Sequence, residues 1–203
     1  MGRRDHQTGR TPGSGPAYPA AARAGREPAS RRPVPTQTPV PVPAAPAETG
    51  VPGRWRYARH LDRLAATAAT AGPAGRAGEA EAVAAVLRDP DPVMAESAVV
   101  THLDRRAAGL RPGTEFPDWA RVLHPVLAGH AFPARRLREW TLLKAVAAGA
   151  PWSPAELAAA SDWCQHTAAS SLDAPEALVL LAASARTRRV RNTAAQRLRR
   201  RAA

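Results

Sequence analysis

From Arg54 onward the large apolar residues recur at helical spacing. In RWRYARHLDRLAATAATA, residues 54–71, Tyr57, Leu61, Leu64, Ala65 and Ala68 fall on one side of a 3.6-residue helix. GPAGRAG, 72–78, ends that helix and reads as a flexible turn. A short second helix spans Glu79 to Arg88, with Val83, Val86 and Leu87 inward. In DPDPV, Asp91 is the expected N-cap and Pro92 the first helical residue of a third helix. That helix runs to Gly109, a residue suited to a left-handed cap. A fourth covers 117–128, with Trp119, Leu123, Val126 and Leu127 as its stripe and Pro125 expected to kink or split it. The fifth runs from about 134 to 148 and ends at Gly149. SPAE, 153–156, is a capping box in which Ser153 and Glu156 satisfy each other's end of the next helix. DAPE, 173–176, opens the last helix with Asp173 at N-cap. Alternating β-branched or aromatic runs are absent, so the expected fold is all-α.

Before Gly53 the periodicity vanishes. Residues 1–52 hold 11 of the 21 prolines and almost no large apolar residues, so they predict a disordered Pro/Ala/Arg-rich arm. PVPTQTPVPVPAAP, 33–46, favours polyproline II and reads first as a stiff spacer. The expected organisation is this arm followed by an all-α domain over 53–203 that ends in a basic helix. Alanine supplies 48 residues, isoleucine none, and lysine and asparagine one each, Lys144 and Asn192. GC-rich coding favours such a composition, and it warns against reading every arginine as selected for charge. Alanine also buries little apolar area, so the core is modest.

Charge changes the picture when it is divided along the chain. Residues 53–185 carry fourteen basic and fourteen acidic side chains, whereas 186–203 carry eight arginines and no acid. Residues 1–52 add seven arginines against Asp5, Glu27 and Glu48. The net charge of +12 thus belongs to the two ends of the chain.

Several function classes find no support in the residues. A single cysteine, Cys164, forbids an intramolecular disulfide. No apolar run approaches the roughly 18 residues of a membrane span. MGRRDHQTGRTPGSGP has charge but no apolar core, so it does not read as a secretory signal, and a cytoplasmic protein is expected. No two of the six histidines stand i, i+4 in one helix, and Cys164 and His166 face different sides, so no metal site is expected. AGPAGRAG, 71–78, lacks the Gly-Lys-Ser/Thr ending of a phosphate loop. Glu139-Trp140 and Asp162-Trp163 pair an acid with a stacking platform, as a nucleobase enzyme would require. Trp140, Trp152 and Trp163 read more simply as a core cluster. No catalytic residue, cofactor or small-molecule ligand is expected.

Three stretches look alike. LRDPDPVMAESAVVTHL (87–103), ARRLREWTLLKAV (134–146) and SARTRRVRNTAAQRL (184–198) share an apolar start at Val93, Leu137 and Val190. A basic residue follows in two of them, and Ala and Leu recur at helical spacing; Met94 departs from the pattern in the first. Each resembles the second half of a HEAT repeat. The starts lie 44 and 53 apart, the first within a HEAT or armadillo period and the second requiring an insertion. The resemblance implies a short right-handed stack of helical hairpins, the other possibility being an irregular helical bundle. It also implies a non-enzymatic adaptor that binds another protein.

The basic end carries the second functional reading. On one continuous last helix, Arg186 and Arg197 align, as do Arg188 with Arg199 and Arg189 with Arg200, around a stripe of Ala183, Thr187, Val190, Ala194 and Leu198. The stripe is narrow and lacks Trp or Phe, which argues against membrane anchoring. Arg186, Arg188, Arg189, Arg191, Arg197, Arg199, Arg200 and Arg201 are the candidate residues for an anionic partner, nucleic acid included. With no interleaved aromatic residue they offer phosphate attraction without base reading.

Overall fold

A computed structural model describes residues 53–70 and 72–202, with side chains from Trp55. The expected disordered arm, 1–52, lies outside the described residues. These residues are all-helical: α1 Gly53–Ala68, α2 Gly72–Val86, α3 Pro92–Gly109, α4 Glu115–Leu127, α5 Ala131–Ala147, α6 Pro154–Ala159, α7 Asp162–Ser171, α8 Pro175–Ser184 and α9 Arg188–Ala202. No helix among them is long and apolar enough to cross a membrane.

Local chemistry explains most boundaries and corrects several expectations. GPAGRAG is not a turn but the opening of α2. Gly72, at φ +83°, makes the reversal, and a Cβ on Gly75 would run into the Thr70 carbonyl, so glycine lets α1 and α2 close tightly. Asp91 caps α3 as expected, accepting the Met94 N–H at 3.1 Å. Gly109 does not turn left-handed; it stays helical, and Leu110 ends α3 in extended conformation. Burial of Leu110, and the Lys144 Nζ that donates to its carbonyl at 2.6 Å, decide that ending. Gly149 does take the left-handed conformation, at φ +64°, and terminates α5. Pro125 neither splits α4 nor ends it, because it stands in the last turn.

The capping box at 153–156 forms only in half. Ser153 accepts the Glu156 N–H at 3.2 Å, while the Glu156 carboxylate has no hydrogen bond among the described residues. It opens a helix of only six residues. The chain breaks at Ala160, and Ser161 caps α7 by accepting the Cys164 N–H at 3.2 Å. Asp173 is not the N-cap of α8. Ala174 is, without a side-chain bond, and Asp173 accepts instead from Arg197 and Arg201. The expected continuous last helix is also interrupted. Ala185 is extended and buried, and Thr187 accepts the Val190 N–H at 3.3 Å to begin α9.

Packing follows an alternating order. α1 packs on α3, α3 on α5, α5 on α7 and α7 on α9; on the other side α2 packs on α4 and α6 on α8. α4 and α6 make no comparable contact. The starts of α3, α5, α7 and α9 are 39, 31 and 26 residues apart, so successive units shorten along the chain. The stretches starting at Val93, Leu137 and Val190 lie on α3, α5 and α9, and the longer second spacing holds further helices, not a loop insertion. Leu137 and Val190 are buried, whereas Val93 is 76% exposed and holds no core position.

With so much alanine in the core, buried polar side chains align the helices. Glu79 of α2 is 1% exposed and accepts from His102 Nε2 at 2.8 Å, Trp119 Nε1 at 2.8 Å and Arg106 Nε at 3.4 Å. One carboxylate thereby joins α2, α3 and α4. Asp104 of α3 accepts from Trp140 Nε1 at 2.8 Å and Arg136 at 3.1 Å, both on α5. Glu139 of α5 accepts the Ser161 N–H at 3.0 Å, holding the start of α7. Gln165 of α7 donates to the carbonyls of Leu157 and Ala158 and accepts the Arg186 N–H at 2.9 Å. Trp140 and Trp163 meet edge-on with ring centroids 5.5 Å apart, and the Arg136 guanidinium lies 3.4 Å from the Trp163 ring centre. Trp152 is not part of that pair.

Burial pushes the Glu79 carboxyl up, but the bonds from His102 and Trp119 and the charges of His102 and Arg106 outweigh it and hold it below its ordinary value. Asp104 goes the other way, because burial dominates its bonds to Trp140 and Arg136. Glu79→Ala is expected to cost about 3–5 kcal/mol, since it strands the groups gathered around a buried charge. Glu79→Gln, which keeps one acceptor, costs less. A carboxyl lowered in the folded state contributes fully above the unfolded value, near 4.5, and loses that contribution as pH falls through the lowered folded value. The stability gap between wild type and Glu79→Gln therefore narrows with acidification below 4.5 in urea titrations. A gap unchanged between neutral and strongly acid pH contradicts this.

Candidate functional site

Among the described residues, the absence of close packing between α4 and α6 leaves one flank of α5 uncovered. The sequence between these helices explains why. α5 ends at left-handed Gly149, Pro151 keeps the chain out of helix after it, and Ser153 caps the short α6, whose first residue is Pro154. α6 then turns toward α7 and α8.

The uncovered flank is a cleft of about 650 Å³, walled by His124 of α4 and by Trp152, with Arg135, Arg138 and Leu142 of α5 along its floor and Arg186 at its edge. It runs on past Thr141 and Ala145, which both volumes share, into a second cleft of about 600 Å³ beside Phe116 and Lys144. On α5 the buried residues Arg136, Leu137, Glu139, Trp140, Leu143 and Val146 occupy roughly half the circumference, at about 100° per residue. Arg135, Arg138, Leu142 and Ala145 lie on the other half.

Charges in the cleft differ in how far they are engaged. Lys144 is committed to the Leu110 carbonyl, and burial lowers its pKa. Arg121 pairs with Asp118 at 2.6 Å. Glu139 is buried, its carboxylate occupied by the Ser161 N–H. Arg135 stands 5.8 Å from the Phe132 ring centre. Neither Arg135 nor Arg138 has a carboxylate partner among the described residues, and both are exposed. Of the acid–tryptophan sets weighed in the sequence, Glu139 lines the cleft, Asp162 is exposed and reaches its edge only through its ion pair with Arg186, and His166 is exposed and does not line it. Cys164 is fully buried, and burial pushes its thiol up to about 12, a protonated packing residue at neutral pH. No three of His, Cys, Asp and Glu gather as metal ligands among the described residues.

The eight arginines of the basic end do not form one set. Arg186 sits in the α8–α9 turn, off the α9 helix, with its backbone held by Gln165 and its side chain 3.5 Å from Asp162. Its alignment with Arg197 is therefore lost, and Arg186 joins the α5 cleft instead. Ala183 likewise leaves the stripe, which on α9 consists of buried Val190 and Ala194 with Leu198 partly buried. Arg191 donates to the Ala185 carbonyl at 2.6 Å. Arg197 donates to the last carbonyls of the α7 end, Ala169 at 3.0 Å and Leu172 at 2.8 Å, and to Asp173. Arg201 also pairs with Asp173, at 2.9 Å. Arg188, Arg189, Arg199 and Arg200 are exposed and have no partner among the described residues.

Sequence reasoning weighed Trp152 as core and passed over Arg135 and Arg138. A signal was present: Arg135, Arg138, Leu142 and Ala145 follow a 3-4-3 spacing, a second stripe beside the Leu137–Trp140–Val146 one. What the pattern could not show is that no helix among the described residues covers it.

The two kinds of arginine on α9 separate by mutation. Arg197→Gln leaves carbonyls at the end of α7 without their charged donor and is expected to cost about 1.5–3 kcal/mol. Arg199→Gln, on the solvent side, is expected to stay within about 0.5 kcal/mol of wild type. Urea unfolding followed by circular dichroism checks both, and equal effects contradict the division. Comparisons with family models, with curated proteins and with solved structures find no match for this chain.

Proposed function

We propose that this chain is a non-enzymatic adaptor, a short HEAT-like stack of helical hairpins, and that the uncovered flank of α5 is where it holds another protein. The observation that carries this reading is the cleft itself, continuous along α5 and floored by Leu142 and Ala145 between arginines. The alternating packing of α1, α3, α5, α7 and α9 supports the stacked-hairpin part, because in such a stack each unit touches only its neighbours. The reading needs no chemistry from the cleft. Exposed polar and apolar groups side by side on rigid helices are what a protein interface uses.

A second reading rests on a separate observation: Arg188, Arg189, Arg199 and Arg200 have no partner among the described residues. Arg188 and Arg199, like Arg189 and Arg200, are eleven residues apart, about 16 Å along the helix. They would meet separated phosphates of a nucleic acid. Four such contacts predict a slope of about −3.6 for log affinity against log salt on duplex DNA.

The two readings separate in one comparison. Full-length protein, a cleft variant (Leu142→Arg with Trp152→Ala) and a fourfold Arg→Gln variant at 188, 189, 199 and 200 are cross-linked in extract of the source cells, after circular dichroism has shown each to be folded. Protein adducts lost in the cleft variant and kept in the fourfold variant are the expected result. Adducts that are unchanged in the cleft variant defeat the adaptor reading. Nuclease-sensitive adducts lost only in the fourfold variant would put the nucleic-acid reading in its place.

A further inference from the structure

We infer that the α5 cleft takes a short acidic segment of a partner protein, anchored by one bulky apolar side chain. The inference rests on the adaptor reading and names the chemistry of its ligand.

Charge is the first ground. The residues from 53 to 185 carry equal numbers of acids and bases, so no excess of either sign is expected around a cleft in that body. Five basic side chains nevertheless border it, Arg121, Arg135, Arg138, Lys144 and, from the basic end, Arg186, against two lining carboxylates, Glu139 and Glu156. Arg121 and Arg186 pair with Asp118 and Asp162, so the excess rests on Arg135, Arg138 and Lys144. Glu139 is buried, accepts the Ser161 N–H and lies 3.9 Å from the Arg136 guanidinium, so its charge is already paired from within the fold. Arg135 and Arg138 lie one turn apart on the exposed side of α5 with no carboxylate partner among the described residues. Two forked guanidinium groups at that spacing suit carboxylates on a passing chain.

The apolar floor is the second ground. Leu142 and Trp152 both pack against the core yet remain partly open to the cleft. Together they offer a greasy seat beside the arginines. A phosphate backbone would leave that seat unused, which favours a peptide over a nucleic acid. Length is the third. From Arg135 to Ala147 α5 rises about 18 Å, room for roughly five residues of extended chain.

Arg186 adds a tertiary component. Because the chain breaks between α8 and α9, and Gln165 pins the Arg186 amide, a residue of the basic terminus is delivered to the cleft edge. Its ion pair with Asp162, at 3.5 Å, joins two side chains that are each more than half exposed, so a ligand carboxylate can compete for it.

The test uses the full-length protein and a displayed library of random dodecapeptides. The expected outcome is enrichment of peptides that combine several Asp or Glu with one bulky apolar residue. The best clone, made as a free labelled peptide, should bind at least tenfold more weakly to Arg138→Glu and to Arg135→Glu. Arg138→Lys, which keeps the charge and loses the fork, should bind more weakly than wild type but more tightly than Arg138→Glu. Arg188→Glu with Arg200→Glu on α9 should change it less than twofold. Circular dichroism establishes that each variant is folded, which is expected for exposed positions. Replacing Asp and Glu of the peptide by Asn and Gln should cost a further tenfold or more. Enriched peptides without acidic residues that still depend on Leu142 and Trp152 would overturn the ligand chemistry and leave the adaptor reading standing. Acidic peptides indifferent to Arg135 and Arg138 would overturn the site. No enrichment at all, or displacement of the peptide by oligodeoxythymidine at lower concentration than by the unlabelled peptide itself, would overturn the inference as well.

Discussion

Trp119 donates its indole N–H to the buried Glu79 carboxylate, and the orientation of three helices follows from that bond and the two beside it. A core made largely of alanine has little shape to key one helix against the next. A carboxylate that must be fully bonded once it is out of water supplies that key, because only one arrangement satisfies it. The device is repeated down the chain. Asp104 ties α3 to α5, Glu139 ties α5 to the start of α7, and Gln165 ties α7 to α6 and to the entry of α9. Each tie joins neighbouring units only, which fits the alternating packing of the odd-numbered helices.

The same ties determine where the array opens. Glu139 and Gln165 anchor the ends of α6 and α7 from beneath, while α6 itself has six residues and one buried leucine, Leu157. A helix that short cannot reach α4. The gap over α5 is thus a consequence of the shortening of the units toward the C-terminus, from 39 to 31 to 26 residues. α5 is held on its inner half by Asp104, Trp163 and the core leucines, which fix its position while its outer half stays uncovered among the described residues. An uncovered face on a helix so fixed costs a ligand little ordering beyond its own.

Arginine plays two parts in this molecule. Arg106, Arg136, Arg191 and Arg197 are engaged within the fold, buried or partly buried, on carboxylates and on the carbonyl ends of helices. Arg135, Arg138 and the solvent side of α9 are not. Arg197 shows how misleading a charge run is when read as one unit, since its neighbours two and three residues on, Arg199 and Arg200, face water while it closes the end of α7.

Much of the architecture was legible in the residues. Helical periodicity, the Asp91-Pro92 start of α3, the end of α5 at Gly149 and the core stripe of α4 are local properties, decided within a few residues by backbone sterics and side-chain reach. Tertiary contacts overruled the local signals elsewhere. Gly72 to Gly78 looked like a loop and became helix, because α1 supplies a partner surface close enough to need glycine. Asp173 looked like an N-cap and became the partner of Arg197 and Arg201, which lie more than twenty residues away. The break at Ala185 had no local mark, since it depends on the Gln165 amide held by α6 and α7. The cleft was invisible for the same reason. A stripe such as Arg135, Arg138, Leu142 and Ala145 can be written in a sequence, but whether another helix covers it is a matter of helix lengths and of contacts between segments far apart along the chain.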